Sequence, residues 1–142
     1  MRLFRLVKII SVSLKYGLDQ MILSNEPSGR LAWLARALRL RPSCIACGPV
    51  HATTTKVKEL PPVGEHSLRV WAQLVHEGVE QAGLEALPLV AIGGMDVARA
   101  QAAAAAGADC VAVVSSITRA DDPVQAIAAL QRAVAAGRAG RG

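Results

Sequence analysis

The chain changes its hydrophobic rhythm once, near residue 42. Before that point apolar residues recur at helical intervals, with Leu3, Val7, Ile10, Leu14, Leu18 and Met21 forming a stripe over residues 3–22. Arg2, Arg5, Lys8 and Lys15 fall largely beside it. This predicts a basic amphipathic helix docked on the protein's own core, with an anionic membrane surface as the alternative. Asn25-Glu26-Pro27-Ser28-Gly29 then interrupts the pattern, and a second helix is expected with Leu31, Leu34, Ala35 and Leu38 inward, ending before Pro42.

Beyond residue 42 short apolar runs alternate with helical stretches. Cys44-Ile45-Ala46-Cys47 reads as a buried strand running into Gly48-Pro49, followed by a polar loop from His51 to Gly64. Residues 67–82 read as a helix with Leu68, Trp71, Val75 and Val79 on one side. Leu87 to Ile92 is a strand ending in Gly93-Gly94, and Asp96 caps a helix running to Ala106 and stopping at Gly107. Its run Ala102–Ala106 fits a close-packed helix of small residues. Cys110 to Val114 is a third strand, ending in Ser115-Ser116. A last helix starts at Asp122-Pro123, with Asp as N-cap and Pro at the first helical position, and stops near Gly137.

Strands alternating with helices predict an α/β fold with a parallel sheet and right-handed crossovers. The expected organisation is a basic helical segment over 1–42, an α/β unit over 43–137 and a loose tail over 138–142. A chain of 142 residues can bury a respectable core but falls short of a complete (β/α)8 barrel, which takes roughly 200 residues or more.

Charge sharpens the boundary. Residues 1–42 hold eight basic side chains against Asp19 and Glu26, whereas residues 43–142 hold eight basic against nine acidic. The overall charge of +5 therefore belongs to the N-terminal segment. No nucleic-acid partner is expected, because no binding motif accompanies that charge and Phe4, Tyr16 and Trp33 do not form a stacking platform. Three cysteines, an odd number without an extracellular pattern, point to a reducing cytoplasm. Cys44 and Cys47 are three apart in a strand-like run and so face opposite ways, with no second ligand pair at zinc spacing. No stretch reaches the ~20 uncharged apolar residues of a membrane span.

In parallel α/β folds, ligands sit at the C-terminal ends of the strands. Here the strands end in Gly48-Pro49, Gly93-Gly94 and Ser115-Ser116. Glycine lets backbone N–H groups approach an anion, a helix start adds unpaired N–H groups, and serine adds a hydroxyl donor. The combination predicts a phosphate cup; a tight turn alone would also account for Gly93 and Gly94. Thr53-Thr54-Thr55-Lys56 adds three hydroxyls and an ammonium beyond the first strand. On composition alone that loop is as well explained as a solvated one.

Residues 44–56, Cys-Ile-Ala-Cys-Gly-Pro-Val-His-Ala-Thr-Thr-Thr-Lys, resemble the Gly-Pro-x-x-x-Thr-x-Thr-Lys loop of the thiamine-phosphate synthases. Leu89 to Met95 and Gly107 to Ile117 match that family's next two signatures in order, and Asp122-Pro123 fits the start of its closing helix. The resemblance covers about two thirds of the chain. It implies the C-terminal βα units of a (β/α)8 TIM barrel, preceded here by the N-terminal helical segment. The implied enzyme is a cytoplasmic transferase of thiamine biosynthesis, joining an aminopyrimidine diphosphate to a thiazole phosphate with release of pyrophosphate. Thr53, Thr54, Thr55, Gly94, Val114 and Ser115 would then hold the thiazole phosphate, and Lys56 would neutralise the departing pyrophosphate. His51 receives no role. A sister family of thiazole tautomerases carries a histidine immediately after the glycine; here that position is Pro49, which favours the synthase.

The family also implies Mg2+, but residues 1–42 hold no counterpart to its magnesium carboxylates or to its basic strand for the pyrimidine diphosphate. They resemble instead the N-terminus of the atypical-kinase family linked to ubiquinone biosynthesis, through Leu14-Lys15-Tyr16-Gly17-Leu18-Asp19. The expectation is a synthase-like chain that is incomplete and inactive alone. The alternatives are a catalytically dead phosphate-binding or interaction module from a truncated or fused reading frame, and a membrane-surface accessory protein. Open edges of a three-stranded sheet also allow a homo-oligomer.

Overall fold

The computed structural model describes residues 44–53, 61–81, 83 and 87–141, together with helical positions 35 and 39. The stripe over residues 3–22 lies outside the described residues. Ala35, expected inward, is helical and exposed; an alanine at the flank of a stripe gains little from burial, so the pattern sets its side only weakly.

Three parallel strands form one sheet in the order β1 (Ile45–Cys47), β2 (Leu89–Ile92), β3 (Cys110–Ala112). Ile45 stands opposite Leu89 and Cys47 opposite Ala91, while Val90 pairs with Cys110 and Ile92 with Ala112. Strand β1 leads to α1 (Gly64–Gln81), β2 to α2 (Val97–Ala105), and β3 to a four-residue α3 (Ser115–Thr118) and then α4 (Pro123–Ala139). This is the α/β alternation that the apolar runs predict.

One sheet face carries the core. Ile45, Cys47, Leu89, Ala91, Val111 and Val113 alternate onto it and pack in one cluster with Leu68, Trp71, Val75 and Val79 of α1. Burying each of the larger aliphatic side chains contributes about 1.5–3 kcal/mol. The other face carries Val90, which is buried, and Ile92, which is 43% exposed at the strand's end.

The alanine run is a packed helix, as expected: Ala100, Ala103 and Ala104 of α2 are fully buried against α4. Asp96 caps α2 by accepting from Arg99 N at 2.9 Å. At its other end Gly107 N bonds Ala104 O and Ala108 N bonds Ala103 O, a Schellman closure. Asp122 caps α4, accepting from Val124 N and Gln125 N at 2.9 and 3.0 Å.

One expectation about the C-terminus is refined and one is overturned. Gly137 does not stop α4, which runs on to Ala139. A Cβ at Gly137 would lie 2.2 Å from Gln101 O and 2.8 Å from Ala104 Cβ, so this glycine lets α4 cross close over α2. Nor is the tail after it loose. Arg138 Nη2 donates to Asp109 O, and Arg141 donates through Nε to Ala104 O at 2.6 Å and through Nη2 to Ala108 O. These guanidinium groups bond carbonyls along the turn from the end of α2 to the start of β3, at Ala104, Ala108 and Asp109. Their acceptors are 29 to 37 residues away in sequence, which local pattern does not reveal.

Candidate functional site

Parallel pairing brings all three strand ends to one edge of the sheet, and the loops leaving it are bonded to one another. Val50 N donates to Ile92 O at 2.8 Å and His51 N to Gly93 O at 3.2 Å, so the chain after β1 continues along the end of β2. On its other side, Val63 N donates to Pro49 O and Gly64 N to Val50 O, at 2.9 and 3.0 Å, which fixes the start of α1 to the same loop. Ser116 Oγ donates to Met95 O at 2.6 Å and ties the loop after β3 to the loop after β2.

Gly94 lies at the centre of this arrangement. Its φ is +61°, and a Cβ there would lie 2.4 Å from Ala52 O and 2.9 Å from His51 Cβ. Both the left-handed backbone and the crowding require glycine. The tight-turn explanation is thus correct for the local backbone, but that turn also stands where the three loops converge. Arg99 reaches back from the first turn of α2, donating through Nη1 to Gly94 O at 2.9 Å, with its Nε 3.5 Å from Asp96 Oδ2. A cation therefore stands at the rim of the glycine loop.

Of the residues expected in the site, Thr53 is half-buried in the loop after β1, directly beyond His51 and Ala52. Thr54, Thr55 and Lys56 lie outside the described residues. Gly94 is half-buried after β2, Val114 is 53% exposed after β3, and Ser115 opens α3 half-buried. Sequence reasoning missed three groups: Arg99, Ser116 as a tether between loops, and His51. Arg99 was legible only as the residue three after an N-cap, a position that says nothing of where a long side chain turns.

His51 is the unusual member. Its Nε2 is buried and has no hydrogen-bond partner among the described residues, with Glu65 Oε1 at 3.8 Å, beyond bonding distance. No group of three or more His, Cys, Asp or Glu side chains among the described residues could hold a metal, so the Mg2+ implied by resemblance has no ligand set there. Cys44, Cys47 and Cys110 are not joined by disulfides. Among the described residues no helix is long and apolar enough to cross a membrane.

Chemically, the edge offers backbone N–H groups beside glycine, hydroxyls of threonine and serine, and a guanidinium nearby. It suits an anion with several oxygens.

Comparison with known proteins converges on one family. The model of thiamine monophosphate synthase matches residues 27–117. Thiamine-phosphate synthase of Neisseria meningitidis serogroup A is 41% identical over 101 residues, covering 71% of this chain and 45% of that protein. The Rhizobium etli thiamine-phosphate synthase is 36% identical over 118 residues, covering 83% of this chain and 50% of its own length. Among solved structures, thiamine phosphate pyrophosphorylase from Pyrococcus furiosus superposes with a TM-score of 0.55 at 25% identity, over 75% of this chain and 46% of that one. The chain thus spans about half the length of the relatives it matches.

Proposed function

The chain belongs to the thiamine monophosphate synthase family, and from that membership we propose that its strand-end loops form the thiazole-phosphate side of a thiamine-phosphate synthase site. The observation that carries this reading is the convergence on Gly94 of loops from all three strands, locked by the bond from Ser116 Oγ to Met95 O. Residues 43–137 would be the C-terminal βα units of a (β/α)8 barrel, with residues 1–42 a helical segment ahead of them.

In the proposed roles, Gly94, Val114 and Ser115 hold the phosphate through backbone N–H groups and the serine hydroxyl, and Thr53, Thr54 and Thr55 add hydroxyl donors. The thiazole nitrogen forms a bond to the methylene carbon of the aminopyrimidine diphosphate as the carbon–oxygen bond to pyrophosphate breaks. Lys56 meets the charge that accumulates on the leaving pyrophosphate. Stabilising that charge is the largest electrostatic demand of a displacement that resembles benzylic ionisation. No step is assigned to Mg2+, for which the described residues hold no ligand set.

The purified chain is expected to bind thiazole phosphate without forming thiamine phosphate, because residues 1–42 carry no counterpart to the diphosphate-gripping strand. Thermal unfolding with thiazole phosphate at about 100 times its Kd should show stabilisation of roughly 2.7 kcal/mol. A melt that ignores the ligand would remove the reading; turnover in the coupling assay would show the chain to be sufficient for the whole reaction.

A further inference from the structure

Helix α2 carries a cation at the end where its own dipole disfavours one. Asp96 is the N-cap and Arg99 the third residue of the helix, so the guanidinium starts from the first turn, beside the positive end of the dipole. The last turn, where a basic residue would gain, holds none. The Arg99 side chain turns back past the helix start. Its Nη1 donates to Gly94 O at 2.9 Å and its Nε lies 3.5 Å from Asp96 Oδ2, while its backbone N–H donates to Asp96 Oδ1 at 2.9 Å. One residue thus engages both oxygens of the capping carboxylate and the carbonyl of the glycine turn.

The bond to Gly94 O orients the loop. The peptide joining Gly94 to Met95 is trans, so its carbonyl and N–H point to opposite sides, and holding the one fixes the direction of the other. Ser116 Oγ holds the next carbonyl, Met95 O, at 2.6 Å in the same way. Charge is the second matter. Asn or Ser would cap α2 about as well as Asp and would bring no charge. Asp96 places a carboxylate at the head of the helix that follows the glycine loop, where it repels an arriving anion. The Arg99 and Asp96 side chains are 46% and 51% exposed, so their pairing contributes little to stability.

We propose that Arg99 is a positioning residue of the glycine loop: held on Gly94 O, its guanidinium offsets the charge of the Asp96 cap, so that a phosphate dianion meets a neutral pair and not a bare carboxylate. This rests on the phosphate reading of the loop given above. It adds to that reading the group that makes the head of α2 electrostatically open to an anion.

The test uses the full chain at low ionic strength, titrated with thiazole phosphate in one arm and inorganic phosphate in another. Arg99→Met keeps the aliphatic stem and should weaken binding of either probe about tenfold, with the ligand-free Tm lowered by less than about 4 °C. Arg99→Lys keeps the charge and should stay within about threefold of the wild type. Adding Asp96→Asn to Arg99→Met retains a cap, removes the unopposed carboxylate, and should recover most of the lost affinity. Added salt should narrow the gap between wild type and Arg99→Met, because screening weakens a charge effect between exposed groups. Equal affinity of wild type and Arg99→Met, or a loss that neither Asp96→Asn nor salt reduces, would overturn the assignment and leave the phosphate reading standing. Absence of binding by the wild type would instead remove that reading, and this inference with it.

Discussion

The two edges of the sheet are built on opposite principles. At the edge where the strands begin, one carboxylate gathers its surroundings. Asp109 accepts from Leu89 N at 2.9 Å and lies 3.1 Å from His76 Nε2 and 3.7 Å from Arg141 Nη1, while Arg138 donates to its carbonyl. Helix α1, strand β2, helix α4 and the residues after it are tied together there, and polar groups meet partners inside the protein. At the edge where the strands end, bonds join loop to loop and leave one ring nitrogen over among the described residues. His51 Nε2 is unpartnered among the described residues, Gly94 holds a left-handed backbone, and Ile92, Val97, Val114 and Val124 are exposed. One edge uses its polar chemistry on the fold, and the other is where we propose that the ligand binds. The same division appears in complete barrels, where the ends of the strands carry catalysis and the beginnings carry stability.

The sharpest break in this comparison is Gly94→Ala. The new methyl group would meet Ala52 O at 2.4 Å on a backbone with φ of +61°, so the loop must move. Binding of thiazole phosphate, read by calorimetry, should fall below detection, with stability reduced by about 1–3 kcal/mol. Retained binding would show that the glycine turn serves the backbone and not the ligand.

Asp109→Ala attacks the opposite edge. It leaves Leu89 N without its side-chain acceptor and removes the partner of His76 and Arg141. Denaturant unfolding should show a loss of about 1–3 kcal/mol, while the affinity of the remaining folded protein for thiazole phosphate stays within a factor of about two. A specific loss of affinity would couple the two edges and blur the distinction between them.

The smallest effect is expected from Lys56→Ala, which should leave thiazole-phosphate affinity nearly unchanged because its proposed partner is pyrophosphate. A titration of the variant against thiazole phosphate decides this. A large loss would move Lys56 into the thiazole-phosphate contact set.

Elements and contacts differ in how far the chain announces them. Helix α2 could be read almost to the residue, because Asp96, the alanine run and Gly107 are local signals acting over one turn. Strand β2 starts two residues later than the expected Leu87, and β3 ends two residues before the expected Val114, since apolar runs extend beyond the paired residues at either end. Helix α3 was missed: Ser115–Thr118 is too short for periodicity to register. In the candidate site, Gly94, Val114 and Ser115 were identified from their positions after apolar strands and from the family's motifs. Arg99, Ser116 and His51 needed the fold, because what singles each of them out is a contact between loops, or the lack of one.

By itself, then, the sequence determined the α/β alternation, the caps at Asp96 and Asp122, and the family to which residues 27–117 belong. Each follows from residues within a few positions of one another or from an ordered motif. Only the tertiary structure decided that Gly137 is a helix crossing and not a helix stop, that Arg141 is bonded to the end of α2, and that His51 lies beside Gly94 with a buried Nε2 that has no hydrogen-bond partner among the described residues. Those depend on backbones brought together from 36 to 43 residues apart, and a linear pattern carries no record of which distant surface a side chain will meet.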